Sequence, residues 1–122
     1  MIAPVTIRGV FKNARTTRTL DPDEVLFSEG DAGDNMYGVI SGAVELRRGE
    51  RVVQRIGPDG TFGELAIIDA SPRSLTAIAV EPTEIAVIND RDFLFLVHET
   101  PTFAMDVMRS LSRLIHELSG DR

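Results

Sequence analysis

The residues whose types and spacing could do chemistry lie in one stretch. Gly57-Pro58-Asp59-Gly60 precedes Phe62-Gly63-Glu64-Leu65-Ala66, and nine residues past Glu64 comes Arg73, followed by Ser74. Glycine at position 63 lets backbone approach a ligand closely, because no Cβ stands in the way. The apolar residues after Glu64 can make one helical turn, and the amides at its start form a small anion cradle. Arg73 adds a planar cation that can hold a phosphate through two hydrogen bonds. Ser74 adds a hydroxyl. Glu64 cannot bind phosphate, but as an acceptor it can hold a sugar hydroxyl. Anion cradle, arginine and carboxylate together suit a phosphorylated sugar. The competing readings are a surface salt bridge for Arg73 and a solvated carboxylate for Glu64.

The elements that must position these residues are mostly strands. Between about residues 16 and 89, short β-branched and apolar runs alternate with turn residues: Thr17–Leu20, Val25–Ser28, Met36–Ile40, Ala43–Arg48, Val52–Ile56, Ser74–Ala79 and Thr83–Ile88. In Val44-Glu45-Leu46-Arg47 apolar and charged residues take opposite faces. Many short, evenly spaced strands predict a mainly β fold, an antiparallel β-roll or jelly roll of about eight strands with flanking helices. After residue 90 the period changes. Asp90 is the expected N-cap of a helix through Phe93, Leu94 and Val97. Thr100-Pro101 starts a second, with proline at the first helical position. Phe103, Val107, Leu111, Leu114 and Leu118 form its apolar face, widened by Met108 and Ile115, and Gly120 ends it. Residues 1–15 read as a lead-in with a turn of helix, anchored by Phe11.

With the glycine landmarks at their proper distances, Phe62-Gly63-Glu64-Leu65-Ala66 followed by Ser71-Pro72-Arg73-Ser74 resembles the phosphate-binding cassette of the cyclic-nucleotide-binding family. That family includes the sensor domains of the bacterial catabolite activator and of the regulatory subunits of cAMP-dependent protein kinase. Glu29-Gly30-Asp31 and the hairpin from Met36 to Val44 match as well, so the resemblance spans roughly residues 16–118. It implies that Gly63 and the amides of Glu64, Leu65 and Ala66 face the cyclic phosphate and ribose. It implies that Glu64 accepts from the ribose 2′-hydroxyl, and that Arg73 pairs with the exocyclic phosphate oxygens with Ser74 beside it. Leu46 and Val53 match apolar wall positions near the base, and Ser119 falls near a helix hydroxyl that meets the purine. Leu75 departs from the pattern, since many relatives carry a small residue there. Strand alternation places it opposite Ser74, in the core or at the far face.

The bulk numbers bound the rest. A chain of 122 residues, 43% hydrophobic and 26% charged, suits one globular domain. With no cysteine, neither a disulfide framework nor a thiolate zinc site is available. No signal-peptide pattern or membrane-length apolar run is present, so a cytoplasmic location is expected. A net charge of −6 opposes nucleic-acid binding by this chain alone. Asp31–Asn35 lacks EF-hand spacing, so no metal is expected. No serine elbow or Walker loop suggests an enzyme. The expectation is therefore a single-domain, stand-alone sensor for cyclic AMP, with cyclic GMP as the other ligand and no cofactor. It would signal through repacking of its C-terminal helices to a protein partner or a second copy, with the Phe103–Leu118 face as the output surface. The alternatives are a degenerate, nucleotide-free interaction module, a pocket for another small molecule, and a fragment of a longer regulator or channel.

Overall fold

The computed structural model describes residues 10–11 and 14–119. Most of the expected lead-in and the helix-ending Gly120 lie outside those residues. Eight strands follow in order: β1 (Thr17–Leu20), β2 (Val25–Phe27), β3 (Met36–Ser41), β4 (Val44–Arg48), β5 (Arg51–Ile56), β6 (Thr61–Phe62), β7 (Thr76–Ala79) and β8 (Thr83–Ile88). A single-turn helix, α1 (Leu65–Ile68), stands between β6 and β7, and α2 (Asp90–Glu99) and α3 (Thr102–Leu118) close the described chain. The strands build two four-stranded sheets, ordered β1-β8-β3-β6 and β2-β7-β4-β5, and every pairing is antiparallel. This is the β-roll that the sequence pattern predicts. The element it does not reveal is β6, whose two residues pair with Tyr37 and Gly38. Two residues are too few to show a period of two.

The alternation in the sequence becomes two apolar layers. Val44 and Leu46 are buried while Glu45 and Arg47, alternating with them, lie half-buried on the other face, where Arg47 Nε and Nη2 donate to Glu45. Val44, Leu46, Val39 and Ile85 belong to the cluster between the sheets. Met36, Ala86 and Ile88 join a second cluster with Phe11, Phe103 and Val107. Phe11 meets Phe103 edge-on at 6.0 Å. A side chain at Gly38 would collide with its ring, 2.5 Å away.

The helices differ from the sequence reading in three details. Asn89, not Asp90, caps α2: its side chain accepts from the Asp92 amide at 2.8 Å. Either residue type can cap, and the chain's extended backbone at Asn89 decides between them. Leu94 turns outward, 66% exposed, while Phe93, Leu96 and Val97 pack inward. The expected face of α2 is thus rotated, because β8 lies on the side that those three cover. On α3, Phe103, Val107, Leu111, Leu114 and Leu118 all pack against the roll. Met108 and Ile115 do not widen that face; with Met105 they lie exposed on another side of the helix.

Candidate functional site

Arg73 sits just before β7 and is clasped by the loop between β2 and β3. Its amide donates to Asp31 O at 2.8 Å, and its carbonyl accepts from the Gly30 amide at 2.7 Å. Its side chain turns inward and is only 8% exposed. Nη2 donates to Asn35 O at 2.8 Å and Nη1 to Gly63 O at 3.2 Å. The guanidinium lies over the Phe27 ring, with Cζ 4.1 Å from the centroid, and near Tyr37 at 5.6 Å. A cation on an aromatic face is favourable, more so when water is excluded. Nε is buried without a hydrogen-bond partner. A buried N–H left unpaired is costly, so an acceptor arriving at this guanidinium meets donor capacity that the protein does not use.

Two glycines make room for that cation. A Cβ at Gly33 would lie 2.4 Å from Arg73 Nε, and one at Gly63 would lie 2.9 Å from Nη1. Gly63 also has φ of +79°, a conformation that side chains disfavour. Its backbone bend turns the chain from β6 into α1. Glu64 then heads α1 and is 2% exposed, with Thr61 Oγ1 donating to its carboxylate at 2.6 Å. The Ala66 amide reaches Gly63 O at 3.4 Å, and Glu64 O accepts from Ile67 and Ile68. The amides of Glu64 and Leu65 take no part in these turn bonds. Past α1, Ser71 donates through both its amide and its hydroxyl to Asp69, which folds the chain back to bring Arg73 beside Gly63.

These elements enclose a cavity of about 30 Å³ lined by Gly63, Glu64, Leu65, Ala66, Arg73 and Ser74 on the cassette side. Of the remaining sequence-predicted residues, Leu46 lines it as well. Val53 is buried in the core between the sheets, and Phe62 stacks on Tyr37 with centroids 5.4 Å apart; neither reaches the cavity. Ser119 is exposed at the end of α3, where its hydroxyl donates to Ile115 O at 2.8 Å, so it caps its own helix and stays clear of the cavity. Leu75 is in the core, as alternation requires, yet it also touches the cavity. The sequence reading left out Phe27, Leu114 and the Gly33–Asn35 stretch. Gly33 carried a signal of sorts, being a glycine beyond what the turn needs. Asn35 carried none, because it contributes a backbone carbonyl.

The arrangement suits an anion bearing a sugar: a cation between two glycines, unengaged amides beside it, and a carboxylate in the same wall. Phe27, Leu46, Pro72, Leu75 and Leu114 add apolar surface to that wall, and Ser71 adds a hydroxyl. A family model for the cyclic nucleotide-binding domain matches residues 17–100. The cyclic AMP receptor protein of Thermus thermophilus is 36% identical over 97 residues, covering 75% of this chain and 45% of that protein. The crystal structure of the Thermus thermophilus catabolite activator protein superposes with a TM-score of 0.71 at 31% identity, covering 85% of this chain and 51% of the other. A structure titled for a cyclic-GMP-dependent signalling pathway in bacterial phytopathogenesis gives a TM-score of 0.69 at 29% identity, covering 82% and 84%. The chain spans about half the length of the curated relatives it matches.

Proposed function

This chain belongs to the cyclic nucleotide-binding domain family, and from that premise we propose that it is a non-enzymatic sensor of cyclic AMP. The observation that carries this reading is the buried Arg73 guanidinium, flanked by Gly33 and Gly63 and holding an unpartnered Nε. The cyclic phosphate is received by Arg73 and by the Glu64 and Leu65 amides, and Glu64 accepts from the ribose 2′-hydroxyl. Cyclic AMP is favoured over cyclic GMP because the names of the curated relatives carry it.

A cavity of about 30 Å³ holds one water, and ligand pockets run to several hundred. Among the described residues Leu114 is the one α3 residue in the cavity's lining, so nucleotide entry is expected to widen the cavity by moving Leu114 and with it α3. Leu114 and Leu118 now pack on the roll's core. Binding selects the conformation in which they have moved, and the position of α3 reports occupancy. In the state described the Phe103–Leu118 face is packed on the roll, and it becomes an output surface only as α3 moves. The exposed stripe of Met105, Met108 and Ile115, with three- and four-residue spacing through Ser112, suits a seam with a second copy.

Calorimetric titration with cyclic AMP and cyclic GMP, alongside Glu64→Gln, tests the reading. Saturable binding of cyclic AMP by the parent, at least tenfold weaker in the variant, is the expected result. Ligand-free folded protein that gives neither heat nor thermal shift with either nucleotide overturns it in favour of an interaction module.

A further inference from the structure

A second cavity, of about 330 Å³, opens between α3 and the Gly57–Gly60 turn. It is some tenfold larger than the space at the cassette and falls within the range of small-molecule sites. Its walls come from separate parts of the chain. Asp106, Arg109, Ser110 and Arg113 recur at helical spacing and form one polar face of α3. Gln54 and Arg55, from β5, and the 57–60 turn stand opposite. The polar face of an amphipathic helix ordinarily looks to bulk water. This one looks across a cleft at the roll, tied at one point where Ser110 Oγ donates to Thr61 O at 3.2 Å.

Arginines gather in the cleft. Arg55, Arg109 and Arg113 line it with two carboxylates, Asp59 and Asp106, and Arg55 also pairs with Glu45 and Glu81 outside it. The arginines are under-used. Arg109 approaches Asp106 at 3.6 Å, and Arg55 approaches Glu45 and Glu81 at 3.8 and 3.6 Å, all longer than a good hydrogen bond. Among the described residues Arg113 has no ion-pair or hydrogen-bond partner. Each guanidinium carries five donors, so most of the cleft's donors are unassigned. Like charges gathered along one open groove repel, and an anion relieves that repulsion. Ile56 and Pro58 add an apolar strip, and the Asp106 carboxylate can accept from a hydroxyl group.

We propose that this cleft is a second ligand site, separate from the cassette, for a small metabolite that carries a phosphate or carboxylate together with hydroxyl groups. Arg109 and Arg113 on α3, with Arg55 on the opposite wall, receive the oxyanion. Because the ligand bridges α3 and the roll, it holds α3 docked. Occupancy here and at the cassette are therefore coupled, and the coupling is reciprocal.

The test follows amide resonances of the labelled protein during titration with inorganic phosphate and, separately, acetate, at ionic strength held constant with sodium chloride. Saturable shifts at residues 57–60 and 106–113 are expected. They should weaken at least tenfold in Arg109→Gln/Arg113→Gln, weaken also in Arg55→Gln, and persist in Glu64→Gln. A saturable response to either anion supports the site, and the stronger one identifies its oxyanion. Shifts that do not saturate, that centre on residues 63–74, or that are equal in the parent and all the arginine variants overturn it.

Discussion

Replacing Arg73 with methionine keeps most of the stem and removes the guanidinium, so it isolates what the cation does in the empty protein. Two charge-assisted bonds are lost, to Asn35 O and Gly63 O. Bonds of this kind are worth about 1.5–3 kcal/mol each. The contact over Phe27 at 4.1 Å goes too, at about 1–2 kcal/mol for a desolvated cation. Against these stands relief from holding a charge at 8% exposure with one unpaired N–H, a few kcal/mol in the other direction. The net is a destabilisation of about 3 kcal/mol. Unfolding entropy of about 2.1 cal/mol/K per residue gives roughly 0.26 kcal/mol/K for 122 residues. A drop in Tm of about 12 °C follows, read by calorimetry or circular dichroism. Cyclic AMP at a hundredfold excess over its Kd should add about 2.7 kcal/mol, or some 10 °C, to the parent. It should add nothing measurable to the variant. A variant that melts within 4 °C of the parent refutes the claim that the empty cassette is braced by its own arginine. A variant that still gains 10 °C with ligand refutes the phosphate role.

Gly33→Ala places a methyl where Arg73 Nε now lies. The guanidinium must shift, and nucleotide affinity should fall at least about tenfold, or 1.4 kcal/mol, in the same calorimetric assay; unchanged affinity would show that the loop yields instead. Ile115→Glu should abolish self-association seen by analytical ultracentrifugation while leaving Tm nearly unchanged, since Ile115 is 63% exposed. A parent that is monomeric with and without nucleotide removes the proposed seam. Glu24 accepts from the Asp21 amide and lies beside Arg18, and both hold its carboxyl below the usual value, the amide more strongly. Its small contribution to stability is present above the unfolded pKa and disappears as pH falls through the lower folded one. A side-chain carboxyl titration by NMR should find Glu24 titrating below the ordinary glutamate value, and Glu24→Gln should flatten the acid limb of the stability curve slightly.

The roll was legible because strand alternation is a local property. Val44 and Leu46 against Glu45 and Arg47 assign two faces with no knowledge of which strand lies alongside. That Gly63, Glu64, Arg73 and Ser74 gather at one cavity was legible because the motif is written in their own side chains or in the absence of one. What no local pattern held was decided by contact between distant segments. That the Gly33–Asn35 loop cradles Arg73 depends on a carbonyl, which every residue type has. That Val53 packs in the core and Leu46 lines the cavity depends on where β4 and β5 lie beneath α3, since both are equally apolar. The periodicity of α3 defined an apolar stripe, yet only docking on the roll separated the buried Phe103 and Val107 from the exposed Met108 and Ile115. The same docking turned Arg109 and Arg113 toward a cleft. Residue type sets what a side chain can do, and neighbours far along the chain set what it meets.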